Sequence, residues 1–447
     1  MEWNNLELPL AYYQDDAVYH ICGDALKVLP ELPSDSIDLL ATDPPYGIGF
    51  MGKDWDKALP DKRIWQECFR VLKDGSFAFV MSIPRADCLS RMIISLEDAG
   101  FMVNFTPIFW AYASGFPKAQ NISKAVDKRL GAEREVVGDD PEAKRRNKAT
   151  TKFSNLYGDI NDLPVIPLTA PATPQAKALD GSYGGFQPKP AVEIIIVAMK
   201  PLSEKTFVDQ ALRNRKGITW LDDGRIPYES EVDKDILEAK ASKVFSGVKP
   251  FGGVNGIGSA LKPNNQGRFP ANLLVSDDVL NDGRVTKSTG GNQANRTDAI
   301  WGNARYSPES KGLGDSGSFS RYFDLDKWAE TLPFLIVPKA SKSEKNKYLD
   351  KGETPFLPSG AFETNGGEKK HTLMRNNHPT VKPLKLMSYL IMLGSREGDI
   401  VLDPFGGSGT TALASKQLNR RCIISELKEP YCEIAAKRCS QSVMRLG

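Results

Sequence analysis

Histidine is scarce in this chain: its 447 residues include only His20, His371 and His378. A mechanism built on a histidine-centred triad therefore has few candidates. The six cysteines (Cys22, Cys68, Cys88, Cys422, Cys432, Cys439) form no C-x-x-C pair and are far apart or helically spaced. That fits reduced thiols better than a disulfide framework or a zinc site, and no metal is expected. Neither sign of charge is in excess, because 58 Lys and Arg against 56 Asp and Glu leave a net +2. A face that attracts a polyanion would have to be regional. Long apolar runs are missing too, and the best of them, IIIVAM at 194–199, is far short of the ~20 residues a membrane helix needs. The opening residues, MEWNNLELPLAYYQDD, put no basic region before an apolar core, so a soluble cytoplasmic protein without a membrane partner is expected. There is no internal repeat.

At this length two or three compact units are expected, at roughly 100–200 residues per domain. The first hundred residues alternate in type. AVYHIC (17–22), SIDLLATD (36–43) and GSFAFVMS (75–82) have the composition of strands, while DALKVLPEL, KRIWQECFRVL and ADCLSRMIISLEDAG have that of helices. Such alternation predicts a parallel sheet with crossover helices. Two further strands are predicted in FMVNFTPIFWAY (101–112) and AVEIIIVAMK (191–200). Between them, residues 117–190 hold the amphipathic NISKAVDKRLG, the mixed-charge DDPEAKRRNKATTK and the proline-rich LPVIPLTAPATPQ, the pattern of an insertion. From 201 to 370 the pattern loosens. Residues 240–322 carry 13 glycines and 11 Lys or Arg against 6 Asp or Glu, with Trp301, Tyr306 and Tyr322 among them. Order returns near the end: PLKLMSYLIMLGS as helix, DIVLD as strand, PFGGSG as a tight loop, TTALASKQLN as helix, RCIISE as strand and PYCEIAAKRCSQSV as helix.

Strand, DPFGGSGTTA, then helix is an arrangement in which backbone N–H groups at a helix start face a ligand and glycines let it come close. Gly407, Gly409 and Ala412 satisfy G-x-G-x-x-A, and Glu426 ends the next strand, where a carboxylate can accept from both hydroxyls of a ribose. A dinucleotide enzyme of the NAD type is a competitor, but only one helix follows Glu426, too little for an open sheet with a ligand at its switch point. If AVYHICGD follows the closing helix in space, the two ends of the chain complete one α/β order: glycine loop, Glu426, Asp24, then the corner DPPY at 43–46. Asp24 would lie beside Glu426 and could accept from the amino group of a bound adenosine, or cap the helix ALKVL. The corner is odd in itself. Asp43 ends an apolar strand, and Pro44 and Pro45 cannot donate to a sheet.

DPPY (43–46), DPFGGSGTT (403–411), HPTVKP (378–383) and CIISE before EPYCEIAAKR together resemble the S-adenosylmethionine-dependent DNA amino-methyltransferases. The order of corner first and glycine loop last resembles the beta group of that family. GFPKAQNISKAVDKRLGAEREVVG and LTAPATPQAK resemble segments of phage and prophage modification methylases. The resemblance implies a circularly permuted Rossmann-like α/β sheet of the class I methyltransferase type, with an inserted target-recognition region. It divides the chain into a first catalytic part (1–116), an insertion (117–190), a catalytic strand (191–200), a target-recognition region (201–370) and a cofactor-binding part (371–447). A disordered, glycine-rich linker is the competing description of 201–370.

The resemblance implies methyl transfer from S-adenosylmethionine to an exocyclic amine of a flipped base in double-stranded DNA. Asp43 and the Pro44 carbonyl would hold the amine, Pro45 would fix the corner and Tyr46 would stack on the base. Asp403, Phe405, Gly407 and Gly409 would line the methionine and ribose end of the cofactor pocket, with Glu426 on the ribose, Asp24 near the adenine, and Thr380 and Lys382 near the methionine part. Thr380 and Lys382 could equally be a helix cap and a solvated cation. Trp55 would belong to a loop over the base pocket, or simply pack. Asp43 favours adenine N6, with cytosine N4 next; a binding module without turnover is the alternative class, and RNA a third substrate. A restriction endonuclease partner and a homodimer are both compatible with the resemblance. GDSGS (314–318) has the look of a serine-protease loop, but no His and Asp context accompanies it.

Overall fold

A computed structural model describes residues 3, 8–49, 56–112, 119–139, 167–186, 188, 191–228, 267–276, 280, 286–287, 316–317, 323–332 and 381–440. Thr380 and Trp55 lie outside the described residues, as do Trp301, Tyr306 and Tyr322. The chain divides into two compact units, Met1–Ala113 with Val192–Gly447, and Ser114–Ala191.

The strands, in chain order, are β1 Tyr13–Gln14, β2 Val18–Cys22, β3 Leu39–Thr42, β4 Phe77–Ser82, β5 Ile108–Ala111, β6 Val136–Asp139, β7 Pro167–Thr169, β8 Val192–Met199, β9 Leu273–Val275, β10 Thr286–Lys287, β11 Ser316–Gly317, β12 Ile400–Asp403 and β13 Arg421–Glu426. Nine of them form the sheet of the larger unit, in the order β1-β2-β13-β12-β3-β4-β8-β5-β9. From β2 to β4 every pairing is parallel, whereas β8 is antiparallel to both β4 and β5. This is the circularly permuted, Rossmann-like α/β sheet. On one side of the central β12 lie β13 and then β2, which pairs with β13 in the register Glu426↔Cys22. On the other side of β12 the order runs through β3 to β4, so the strand order reverses between β12 and β3. In an open α/β sheet, the carboxyl ends of the strands at such a reversal are where ligands bind.

Both faces of the sheet are covered, and the alternation of side chains along each strand explains how. Leu39 and Ala41 of β3, with Phe77, Phe79 and Met81 of β4, pack under the helix Leu384–Gly394, beside Leu413 and Ala414. Leu40, Ala78 and Val80 face the other way, onto Trp65 and Cys68 of the helix Lys62–Val71 and Met92 and Leu96 of the helix Ala86–Asp98. Each of the leucine, valine, phenylalanine and methionine side chains buried in full here contributes about 1.5–3 kcal/mol. Every residue of Leu384–Gly394 is buried. Its last residue has to be glycine, since a Cβ at Gly394 would come within 2.6 Å of Leu39 Cδ1.

Some segments differ from their sequence pattern. FMVNFTPIFWAY forms a strand only from Ile108 onward, because Pro107 has no N–H to give to a ladder. Within 201–370, the helices Phe207–Asn214 and Leu325–Glu330 and the edge strand β9 all belong to the larger unit. In the smaller unit, Asp127 of the helix Ile122–Arg129 is buried and accepts from Arg134, the backbone of Ala172 and Thr173, and the Thr173 hydroxyl. No helix among the described residues is long and apolar enough to cross a membrane. Nor is any group of three or more His, Cys, Asp or Glu among them placed to hold a metal ion.

Candidate active site

The two halves of the site meet where the strand order reverses. β12 ends at Asp403, and the glycine loop turns from it into the helix Thr410–Gln417. Gly409 stands before the first helical residue with φ +80°, and a Cβ there would lie 2.9 Å from Ala435 Cβ, so only glycine joins this loop to the closing helix Glu429–Cys439. Gly407 also has positive φ, and its N–H donates to Glu426 Oε2 at 3.0 Å. Glu426 Oε1 accepts from Lys428 N at 2.8 Å. Burial raises the Glu426 carboxyl, with the two backbone N–H donors opposing the shift. Asp24 lies on the neighbouring strand edge, where Gly23 N donates to the Glu426 carbonyl at 2.9 Å. Its Oδ1 accepts from Leu26 N at 3.0 Å, so it caps the short helix Ala25–Val28.

Asp403 is buried and has three donors: the Thr42 hydroxyl at 2.6 Å, the Thr411 hydroxyl at 2.6 Å and Phe405 N at 3.0 Å. Burial nonetheless pushes its carboxyl up to about 6, against the pull of those donors. Thr42 is the last residue of β3, and the next residue is Asp43. The Thr42–Asp403 hydrogen bond therefore ties the DPPY corner to the root of the glycine loop.

At the corner, the Tyr46 hydroxyl donates to Asp43 Oδ1 at 2.5 Å. The corner is held from behind by Asp56, whose Oδ1 accepts from Tyr46 N at 2.7 Å and Gly47 N at 3.1 Å. Two residues complete the group. Lys382, just ahead of the helix Leu384–Gly394, is buried and pairs with Asp43 Oδ2 at 2.8 Å and with Glu193 Oε2 at 3.1 Å. Its Nζ is also 3.3 Å from the Tyr46 hydroxyl and 5.4 Å from the centre of that ring. Burial disfavours the Lys382 ammonium, but Asp43 and Glu193 outweigh it and raise its pKa. Burial raises Glu193, Asp43 adds to the rise and Lys382 opposes it. Tyr46 is likewise raised, by burial and then by Asp43 and Glu193, and Tyr112 is pushed up to about 12 by burial and Glu193.

The structure thus brings Asp43, Pro44, Pro45 and Tyr46 to one strand end, with Asp403, Phe405, Gly407 and Gly409 on the next and Glu426 and Asp24 on the two after that. Lys382, expected near the methionine part of the cofactor, has its charge shared between Asp43 and Glu193. Glu193 was not among the expected site residues. The signal for it was an acid alone in the apolar run AVEIIIVAM, at the start of an antiparallel strand, which places it on the same edge as the carboxyl ends of the parallel ones.

Chemically, this edge offers a glycine-rimmed cradle with a carboxylate for hydroxyl groups, next to a corner whose acceptors are fixed by proline. Residues 262–437 match N6_N4_Mtase, a family model described as DNA methylase. That match to the DNA methylases takes in Lys382, Asp403, the glycine loop and Glu426, while the DPPY corner lies ahead of it. The chain is 44% identical over 70 residues to the type II methyltransferase M2.DpnII of Streptococcus pneumoniae, covering 16% of this chain and 26% of that protein. It is 48% identical over 64 residues to the type II methyltransferase M.HpaI of Haemophilus parainfluenzae, covering 14% of this chain and 20% of that protein. The chain thus spans about a quarter of the length of the first of these relatives and a fifth of the second. Among solved structures, it is similar to the PvuII DNA methyltransferase (cytosine-N4-specific), with a TM-score of 0.40 and 15% identity over 96% of this chain and 88% of that one.

Proposed function

We propose that this protein is a DNA methyltransferase that uses S-adenosylmethionine to methylate the N6 amino group of adenine in duplex DNA. The observation that carries the proposal is the 2.6 Å hydrogen bond from Thr42 to Asp403, which sets an amine-binding corner beside a nucleoside-type cradle.

The residues at the cradle suit that cofactor. Glu426 spends two acceptor positions on backbone N–H groups, and a carboxylate has about four, which leaves capacity for the two ribose hydroxyls. Gly407 and Gly409 keep side chains off the rim, and Asp24 stands one strand further along for the adenine amino group. Asp403 and Phe405 line the methionine end. When bound, the cofactor supplies a methyl group activated by a sulfonium charge.

An exocyclic amine is a poor nucleophile, since its lone pair is delocalised into the ring. Asp43 Oδ1 and the Pro44 carbonyl accept its two N–H groups and draw the nitrogen toward tetrahedral geometry. Lys382 holds Oδ2, so the incoming amine takes the place of the Tyr46 hydroxyl at Oδ1. The freed Tyr46 ring stacks on the base, which must leave the duplex to reach this edge. The rest of the rate comes from holding nitrogen and methyl carbon in line. Duplex contacts fall to the basic, glycine-rich part of 201–370, where Lys and Arg sit on phosphates and a few side chains read base edges.

The test is methyl transfer from labelled S-adenosylmethionine to duplex DNA, followed by digestion and separation of the nucleosides. N6-methyladenine is expected. N4-methylcytosine would keep the reaction and change the base. Cofactor binding without incorporation into duplex DNA would leave a binding module, and label in single-stranded RNA alone would move the activity to RNA.

A further inference from the structure

Asp43 shares its ammonium partner with a second carboxylate. Lys382 Nζ lies 2.8 Å from Asp43 Oδ2 and 3.1 Å from Glu193 Oε2, and the Tyr46 hydroxyl reaches toward both acids, at 2.5 Å from Asp43 and 3.5 Å from Glu193. These groups come from separate elements: the corner after β3, the start of β8 and the approach to the helix Leu384–Gly394. Glu193 sits opposite Trp110 in the pairing of β8 with β5, and Tyr112, two residues beyond Trp110, also feels its charge. Among the described residues, the charged and titratable groups around Glu193 are thus Asp43, Tyr46, Tyr112 and Lys382.

Two carboxylates and one ammonium sum to −1. An Asp43–Lys382 pair by itself sums to zero, and its ammonium would be drawn wholly onto the acid that must accept the target amine. During transfer the amine nitrogen gives its lone pair to the methyl carbon while the carbon–sulfur bond breaks and sulfur keeps that pair. The nitrogen is left with a positive charge until one N–H proton departs, through Asp43, to water. A fixed negative charge next to Asp43 favours that development of charge, and favours it most in a buried site.

We propose that Glu193 is a positioning residue for methyl transfer: it takes a share of Lys382, leaves Asp43 free to hold the amine, and gives the corner the net negative charge that the developing cation needs. This rests on the function proposed above. Burial holds the Glu193 carboxyl above the ordinary glutamate range, with Asp43 adding to the shift. Its negative charge is therefore lost as the pH falls through that raised value, ahead of the range in which an ordinary glutamate protonates.

Glu193→Gln keeps the shape and removes the charge. The expected result is a fall in kcat of about 10- to 100-fold, smaller than the loss of a direct oxyanion-type contact, with the S-adenosylmethionine Kd from calorimetry changed less than about two-fold. The wild-type kcat/KM profile should show an acid limb above the ordinary glutamate range that shifts in Glu193→Gln. A purely structural role would not move that limb. Wild-type kcat together with an unchanged acid limb in Glu193→Gln would overturn the proposal. If that variant does not fold, Glu193→Asp, which keeps the charge, decides: methyl transfer retained supports the proposal, and transfer lost with the cofactor Kd unchanged overturns it. A wild type that transfers no methyl to any DNA instead overturns the underlying function.

Discussion

The hydroxyl of Thr42 donates to Asp403 at 2.6 Å, across 361 positions of sequence. One bond thus fixes the last residue before the DPPY corner to the first residue of the glycine loop, and the distance between the two halves of the site depends on it. Thr42→Val keeps the shape and leaves a buried carboxylate one donor short, which costs about 1–3 kcal/mol. Chemical denaturation should show that loss. Calorimetry should show weaker S-adenosylmethionine binding, because Asp403, already pushed up to about 6 by burial, rises further. Unchanged stability and affinity would mean that the two strand ends are held by other contacts.

Lys382 separates two versions of the site. As a neighbour of the cofactor, its loss would weaken cofactor binding. As the shared partner of Asp43 and Glu193, its loss brings two buried carboxylates together uncompensated, and one of them takes up a proton near neutral pH. Lys382→Met is therefore expected to lose methyl transfer by about 100-fold or more, on the scale of removing a charged contact in a buried site, while calorimetry finds the cofactor Kd little changed. A large rise in Kd with kcat preserved would return Lys382 to the cofactor pocket.

His20 of β2 is fully buried, and neither ring nitrogen has a hydrogen-bond partner among the described residues. Burial lowers its pKa from 6.5 to about 4. A depressed folded value means that the unfolded chain binds the proton first, so the stability present above pH 6.5 is lost as the pH falls toward 4. From that shift, the loss is roughly 3 kcal/mol at most. Asp403 acts in the opposite sense. Its raised value favours the folded state at low pH, and that advantage disappears as the pH rises from 3.8 through about 6. Stability curves for wild type and His20→Leu between pH 4 and 7.5 should differ by the His20 component alone, with the variant less sensitive to acid. Parallel curves would show that His20 takes up its proton in the folded protein as readily as in the unfolded chain.

Much of the sheet was legible because its strands are short apolar runs that end in chemistry. β3 runs into Asp43, β12 ends in Asp403 and β13 in Glu426, and in a parallel sheet those ends share one edge. The spatial joining of β13 to β2 was legible from the same acids. Glu193 was not, because it begins a strand rather than ending one, and only the antiparallel direction of β8 puts it on that edge. The partners of Lys382 were hidden for a similar reason: Asp43 and Glu193 are far from it in sequence, and nothing local to HPTVKP specifies them. β9 and the helix Leu325–Glu330 were masked by a glycine-rich composition that speaks for loops, although Leu274, Val275, Leu325 and Trp328 are buried in the core.

The central claim is that the DPPY corner holds the amine and the glycine loop holds the cofactor. The most direct measurement is Asp43→Ala assayed for labelled methyl transfer to duplex DNA, with S-adenosylmethionine affinity measured by calorimetry on the same preparation. The result expected is abolished transfer with a cofactor Kd close to that of wild type. Transfer retained, or transfer lost together with cofactor binding, would contradict this assignment of the corner.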